Sequence, residues 1–536
     1  MPITRRSLLK VAGAAAVAKA GSAAAQPVAP APAVAPFELA GATVAELQAA
    51  MASGQRSAVS IAQAYLARID AVDRAGPAIN AMIELNPDAL ATAAALDRER
   101  RDKGARGPLH GIPVVLKDNI DTADRMRTSA GSLALADHVA GQDAFVVARL
   151  RDAGCVILGK TNLSEWANFR GARSTSGWSA RGGQTRNPYA LDRNTSGSSS
   201  GSAAAIAADL AAIAVGTETD GSIVSPSSIC GIVGIKPTVG LVSRSGIVPI
   251  AHSQDTAGPM ARCVADAAVL LGSMAGADPR DAATKGRRGK AHADYTRYLD
   301  PDGLKGARLG VAREFFGRND RVDRVIEEAL AAMKDAGAVL VDPVQIRHQA
   351  ELGPSEFEVL YYELKADLDA YLRTAGAGAR VRSLADVIAF NERNAAREMP
   401  YFGQEHLVIA QRKGPLTDAA YRKAVALNRK LARVEGIDAT LARHRLDAIV
   451  APTGGPAWLI DYANGDNYRG SCSRPAAVAG YPHITVPAGF AFGLPVGVSF
   501  FAGAWSEPTL IRLAYAFEQA TKARRPPQFL ATARMH

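Results

Sequence analysis

The stretch TSGSSSGSAAAIAADLAAIAVGTETDGS, residues 195–222, contains two serine- and glycine-rich turns separated by an alanine-rich helical pattern and a short apolar strand. The strand, Ile213-Ala214-Val215, leads into the second turn, which ends in Asp220-Gly221-Ser222. Serine- and glycine-rich segments are also typical of flexible linkers, which leaves that interpretation open for the first turn. The second turn argues against a linker, because successive backbone N–H groups of a tight turn can converge on an anion.

The segment Gly197-Ser198-Ser199-Ser200-Gly201 also satisfies the G-x-S-x-G pattern of a nucleophile elbow, in which Ser199 would be the nucleophile of an α/β-hydrolase. An elbow requires a hydrophobic strand directly before it, whereas residues 187–195, NPYALDRNT, have the composition of a loop. That fold also requires a downstream histidine with an acidic partner, and His483 has no evident partner. The context therefore disfavours the elbow.

A lysine ends the apolar, strand-like run GIPVVLKDN, residues 111–119. Lysines are almost never fully buried without a partner, so Lys117 alone would be interpreted as a side chain that extends from a strand end into solvent. Together with the serine-rich turns it suggests a general base, because a serine hydroxyl needs a base to become nucleophilic. Lysine can serve only when neutral, and burial among Val114, Val115 and Leu116 favours the neutral form.

Residues 111–119, 197–222 and 253–260 resemble the anchor motifs of the amidase-signature family. The resemblance runs from about Leu47 to Met260 and resumes weakly near 448–501. The family includes peptide amidases, fatty acid amide hydrolases, bacterial malonamidases and the amidotransferase subunit that works on glutamyl-tRNA. Membership implies an enzyme that hydrolyses amides.

The resemblance also implies a catalytic triad that uses no metal and no organic cofactor. In the family a nucleophilic serine follows a cis-peptide serine by 24 positions, which is the spacing of Ser198 and Ser222. Ser222 then corresponds to the nucleophile, Ser198 to the bridging serine and Lys117 to the base. Ser199 matches a supporting, hydrogen-bonding serine. The backbone N–H groups expected to hold the oxyanion are those of Thr219, Asp220, Gly221 and Ser222.

The chain departs from the usual family pattern near the nucleophile. Ser196, Ser200 and Asp220 occupy sites where glycine is usual, and Val224 stands where many relatives carry an arginine. The absence of that arginine disfavours small substrates that carry a carboxylate. The run GTETDGSIV, residues 216–224, is similar to the peptide amidase branch of the family.

We therefore expect a serine amidase that converts linear carboxamides to acid and ammonia through an acyl-enzyme. The expected substrates are C-terminal amides of peptides or amino-acid amides. Hydrolysis of fatty-acid or aryl amides is the alternative within the family. A subunit that passes ammonia to glutamyl-tRNA, and a non-catalytic module that binds anions at the serine turns, are the other hypotheses.

The remaining pattern predicts an α/β fold with a large mixed β-sheet covered by helices on both faces. Short apolar runs alternate with longer helical patterns, as in strands that are buried on both faces. Residues 37–536 are expected to form one amidase domain, with a helical insert around 280–436. The predicted strands are Ile112–Leu116, Cys155–Leu158, Ile213–Gly216, Ile232–Ile235, Leu309–Val311, Val339–Val341, Ala448–Ala451 and Ile484–Pro487.

The N-terminal residues predict export. Residues 1–25 contain the pair Arg5-Arg6, an alanine-rich apolar stretch and a small-residue cleavage site, as in a twin-arginine signal peptide, and residues 26–36 form a Pro/Ala spacer. We expect a periplasmic or secreted protein whose partners are the twin-arginine export machinery and an amide substrate, without a stable membrane anchor.

The basic clusters lack interleaved aromatic residues, which disfavours nucleic-acid binding, and the 4 cysteines show no metal-binding spacing.

Overall fold

The computed structural model describes residues 34–376 and 378–534. The predicted signal peptide and residues 26–33 of the predicted spacer lie outside the described residues. No helix of the described part is long and apolar enough to cross a membrane.

An 11-stranded mixed sheet forms the centre of the protein, in the order β1-β3-β2-β6-β8-β7-β12-β13-β11-β9-β10, and β4 and β5 pair separately. Strand β2 runs parallel to β3 and β6, and β9 runs parallel to β10 and β11, whereas the other neighbours are antiparallel. The strands are β1 Met82–Leu85, β2 Pro113–Lys117, β3 Val156–Thr161, β4 Trp178–Ser179, β5 Gly183–Gln184, β6 Ile213–Glu218, β7 Val233–Lys236, β8 Thr256–Ala261, β9 Arg308–Ala312, β10 Val339–Val344, β11 Ala448–Pro452, β12 His483–Ala491 and β13 Leu494–Phe501.

All of the predicted strand segments are strands of this sheet, and the mixed α/β fold class is confirmed. Strands β1, β8 and β13 were not predicted. Strand β8 has the sequence TAGPMA. Its glycine and proline have a low strand propensity, although all of its residues are buried. Pairing with β6 and β7 on its two sides therefore decides its structure more than local propensity does.

Helices surround the sheet. They are α1 Val44–Ala52, α2 Ala58–Arg68, α3 Ala89–Lys103, α4 Phe145–Asp152, α5 Ser200–Ala207, α6 Val224–Ile229, α7 Val264–Met274, α8 Asp320–Asp335, α9 Gln349–Thr374, α10 Leu384–Arg393, α11 Ala395–Glu398, α12 Glu405–Gln411, α13 Ala419–Asn428, α14 Asp438–His444, α15 Arg474–Ala479 and α16 Glu507–Thr521. Alternate residues of β11 pack into different hydrophobic clusters: Ala448 and Val450 join the cluster that contains α8 and α16, and Ile449 and Ala451 join the one that contains α15. At this end both faces of the sheet are therefore covered, as predicted.

The segment 280–436, predicted as a helical insert, contributes to two layers. Strands β9 and β10 and helix α8 belong to the central sheet and its cover, whereas α9 to α13 lie C-terminal to them. Helices α9, α10 and α12 share a separate hydrophobic cluster with Trp166 and Phe169 of the segment that follows β3. The guanidinium of Arg170, which is buried, donates to Glu165 (2.7 Å) and to the carbonyl of Glu398. Helices α9 to α13, called here the helical lobe, are thus bonded through Arg170 to the segment that follows β3.

Candidate active site

The parallel pairing of β2 and β6 brings the predicted base beside the predicted serine turns. Val114 pairs with Ile213 and Leu116 with Val215, so the carboxyl ends of the two strands reach the same edge of the sheet. Lys117 is the last residue of β2, and Thr217 lies one residue before the end of β6.

Lys117 is fully buried, and its Nζ atom lies 2.7 Å from Ser198 Oγ, 2.8 Å from Thr217 Oγ1 and 3.2 Å from the Thr217 carbonyl oxygen. Asn119 Nδ2 donates to the same threonine hydroxyl at 3.0 Å. Burial lowers the pKa of the Lys117 ammonium to about 7, although the carboxylates of Asp255 and Glu218 act in the opposite direction. Close to neutral pH the amine can therefore exist in the uncharged form that accepts a proton.

The carboxylate next to Lys117 in the sequence points away from it. Asp118 accepts a hydrogen bond from Ser129 Oγ, and its Oδ2 atom lies 3.3 Å from Arg181 Nη1. A carboxylate beside the lysine ammonium would stabilise the charged form and remove the base. The pairing of Asp118 with Arg181 prevents this.

Two adjacent serines on the first turn have different surroundings. The peptide bond between Gly197 and Ser198 is cis, as the family resemblance implied. The Ser199 hydroxyl donates to the Thr217 carbonyl at 3.0 Å and accepts from the Thr217 amide at 3.2 Å, and its own amide donates to the Ser222 carbonyl at 3.2 Å. Ser199 thus ties the first turn to β6 and to the second turn, which is a supporting position.

The second turn presents Ser222 to a cavity of about 580 Å³. Gly221 has φ +77°, a conformation that favours glycine. The buried Glu218 carboxylate accepts from the amides of Ile223 (2.8 Å) and Val224 (3.0 Å), which fixes the start of α6 behind the turn. Within the described residues, the amides of residues 220–222 donate to no acceptor.

The surroundings of the G-x-S-x-G segment differ from those of an elbow. Residues 186–199 contain no strand of the central sheet, and Ser199 is fully buried. His483 lies in β12, where its Nε2 atom is 2.6 Å from Ser499 Oγ, and burial lowers its pKa to about 3. Neither residue is placed to act as an elbow nucleophile or its base.

Comparison with known proteins agrees with this geometry. The Amidase family model matches residues 60–511. The chain belongs to the amidase family. The peptide amidase of Stenotrophomonas maltophilia is 56% identical to it in sequence, with a TM-score of 0.88 over 92% of this chain and 100% of that chain. An Arabidopsis thaliana protein named "Probable amidase" is 41% identical over 92% of this chain and 93% of its own length. The A-type subunit of the glutamyl-tRNA(Gln) amidotransferase of Thermoanaerobacter pseudethanolicus is 35% identical over 93% of this chain and 100% of its own length.

The cavity of this amidase has an apolar side and a charged side. The apolar side, called here the apolar arm, consists of Phe169, Ile250, Phe357 and Leu360, and it is a surface of the lobe's hydrophobic cluster. On the charged side, Arg474 Nε donates to Glu356 at 2.9 Å and lies 3.9 Å from Asp220. Ser473 Oγ donates to Asp220 at 2.5 Å.

Several residues of the amidase site were missed by sequence reasoning. Thr217 and Asn119 lie inside the quoted motifs, and a polar side chain at the end of each buried strand was the available signal. Asp255, the residue directly before β8, accepts from Thr219 Oγ1 at 2.6 Å and so supports the second turn. Glu356 and Arg474 come from distant helices, and no local pattern marks them.

One group of described residues has the composition of a metal site. Ligand-type atoms of His252, Glu363 and Asp367 lie within 4.8 Å of one another. They are hydrogen bonded within the protein: Asp367 accepts from the amide (3.0 Å) and Nδ1 (2.8 Å) of His252, and Glu363 accepts from Tyr421 (2.8 Å). These bonds account for the cluster as an ion-pair network, and none of its members lines the cavity at Ser222.

The lowered pKa of Lys117 predicts a pH-dependent stability difference between the wild type and Lys117→Met. Below about pH 7 both the folded and the unfolded wild type carry the lysine charge, so the folded state bears the full desolvation cost of a buried ammonium group. Between about pH 7 and 10.5 only the unfolded chain keeps the proton, and the folded wild type gains stability as the pH rises. The melting temperature of Lys117→Met relative to wild type should therefore be highest below pH 7 and fall towards pH 9. Lys334→Met, at an exposed position of α8, is the control, and a difference that does not change with pH would refute the lowered pKa.

Proposed function

We propose that the protein is an exported serine amidase that hydrolyses C-terminal carboxamides of peptides through a relay of Lys117, Ser198 and Ser222. The observation that carries the proposal is the fully buried Lys117 amine, 2.7 Å from Ser198 Oγ, at the strand edge where Ser222 faces the cavity. A neutral buried amine next to one serine, with a second serine exposed to substrate, is the arrangement that serine activation requires.

The relay moves one proton in each direction during acylation. Neutral Lys117 accepts a proton from Ser198 as Ser198 accepts one from Ser222, and the Ser222 oxygen forms a bond to the amide carbonyl carbon. The resulting oxyanion accepts hydrogen bonds from the amides of the second turn, which lack acceptors among the described residues. The C–N bond then breaks, and the proton returns through Ser198 to the leaving nitrogen, which departs as ammonia.

Deacylation repeats the relay with water in the place of Ser222. Water loses a proton to Lys117 through Ser198 and attacks the ester carbonyl. Collapse of the second oxyanion returns the proton to Ser222 Oγ and releases the acid. Thr217 accepts or donates at Lys117 throughout, so it holds the amine in place without changing the proton count.

The cavity supports a peptide as the acyl group. Because ammonia is small, nearly all of the 580 Å³ is available to the acyl part of the substrate. The apolar arm suits the side chain of the C-terminal residue, and the charged side, with Ser471 and Ser473, suits the polar main chain that precedes it. The similarity to the Stenotrophomonas peptide amidase favours this substrate class over fatty-acid or aryl amides. It also favours an amidase over a component of the glutamyl-tRNA amidotransferase, because the Thermoanaerobacter protein is less similar to this chain.

The relay predicts the effects of serine and lysine variants. Ser222→Ala and Lys117→Ala should each lower kcat/KM by about 10⁴-fold, and the double variant should lose little more, because the residues act as a unit. Ser199→Ala should be milder than Ser198→Ala, and Ser273→Ala on α7 is the matched control. Wild-type activity should fall about tenfold per pH unit below about 7, as Lys117 becomes protonated. An enzyme that tolerates Lys117→Ala, or that is inactivated only at Ser199, would support the elbow instead.

The substrate class is tested by ammonia release from three amides at equal concentration. We expect N-acetyl-alanyl-phenylalanine amide to react more than about tenfold faster than a fatty acid amide and malonamic acid, because it fills both sides of the cavity. The same peptide with a free carboxylate should stay intact, which shows that internal bonds are spared. A tenfold preference for the fatty acid amide or for malonamic acid would overturn the peptide assignment and leave the relay standing.

Export is tested in the producing cell. Replacement of Arg5 and Arg6 by lysine should keep the precursor in the cytoplasm, because the paired arginines are what the twin-arginine machinery reads. The exported protein should begin near Gln26, as determined by N-terminal sequencing. Cytoplasmic retention of the unaltered chain would refute export and strengthen the glutamyl-tRNA alternative.

A further inference from the structure

A second cavity adjoins the one that contains Ser222. It has a volume of about 380 Å³, and its wall shares Ser225, Arg318, Trp458 and Tyr468 with the first. The two cavities therefore adjoin along this shared wall, and they are called here the two branches of the cleft. The second branch contains none of the apolar arm's residues.

The second cavity is positively charged. Its lining includes Arg193, Arg318 and Arg469, and no carboxylate is found among the described residues that line it. Arg193 Nε lies 3.4 Å from Asp192, whereas Arg318 and Arg469 form no ion pair within the described part of the chain. Apolar atoms, among them those of Phe492, form much of the remaining wall.

Arg318 lies at the junction of the two cavities, and its guanidinium occupies the space beside Gly470. Gly470 has φ +93°, and a Cβ atom placed on it would lie 2.7 Å from Arg318 Nη1, so the guanidinium lies where a side chain at residue 470 would be. Arg318 also lies beside the start of α8, where Asn319 caps the first turn. The exposed guanidinium lies 5.8 Å from the centroid of the Phe315 ring, and its N–H groups can donate to a ligand in the cleft.

We propose that Arg318, with Arg469, forms a subsite for an acidic side chain located two residues before the C-terminal residue of a peptide amide. The inference rests on the proposed function. When the C-terminal side chain occupies the apolar arm and the preceding main chain lies along the charged side, the residues before it can enter the other branch, which is lined by these two arginines. Guanidinium groups bind carboxylates with charge-assisted hydrogen bonds, often two in parallel.

The test compares three blocked tripeptide amides, acetyl-Xaa-Ala-Phe-amide with Xaa as Glu, Gln or Lys, and the short substrate acetyl-Phe-amide. In the wild type, kcat/KM for the Glu substrate should exceed that for the Gln substrate by about five- to tenfold, and the Lys substrate should be the poorest. Added salt should reduce the preference, because exposed charges are screened.

Arg318→Gln should abolish the preference for Glu over Gln, measured as the ratio of kcat/KM for the two tripeptides within the same variant. Arg324→Gln is the matched control, because Arg324 is exposed on the same helix and lines neither cavity. Equal rates for the three tripeptides in the wild type, or a Glu preference that survives in Arg318→Gln, would overturn the subsite. A wild type that does not cleave acetyl-Phe-amide would instead refute the proposed function, and the subsite with it.

Discussion

The burial of the Lys117 amine without a carboxylate partner among the described residues is the constraint on which the site depends. A charged amine in this place would cost several kcal/mol of desolvation, and a carboxylate partner would restore the charge and remove the base. The carboxylates that act on the amine or lie next to it in the chain are engaged elsewhere. Asp118 pairs with Arg181, Glu218 accepts from the amides that begin α6, and Asp255 binds Thr219 and two amides. The bonds of Glu218 and Asp255 also fix the turn that carries Ser222.

Much of the fold could be predicted because it depends on local patterns, since continuous apolar runs mark strands buried on both faces. The proposed triad positions follow from the resemblance to the amidase-signature family, in which two serines have the 24-residue spacing of Ser198 and Ser222. Strand β8 could not be recognised because its pairing partners, and not its residues, make it a strand. Glu356 and Arg474 could not be recognised because they reach the site from helices and lie 118 residues apart in the chain.

The division of the cleft has a structural origin. The lobe of α9 to α13 supplies Phe357 and Leu360, so the apolar arm is a surface of a hydrophobic cluster separate from the main core. The charged side combines Glu356 of α9 with Asp220 of the second turn and with Ser473 and Arg474 at the start of α15. Substrate preference can therefore change through the lobe or through the start of α15 without disturbing Lys117, which is held by β2, β6 and the first serine turn.

The proposed relay depends on a neutral Lys117 that activates Ser222. The most direct measurement is the rate and site of labelling by a fluorophosphonate, which forms a stable bond with an activated serine hydroxyl. Mass spectrometry of the digested enzyme should find the label on Ser222, with a labelling rate that rises through a midpoint near pH 7 and becomes negligible in Lys117→Met. Labelling of Ser199, or labelling of Ser222 at an undiminished rate in Lys117→Met, would contradict the proposed relay.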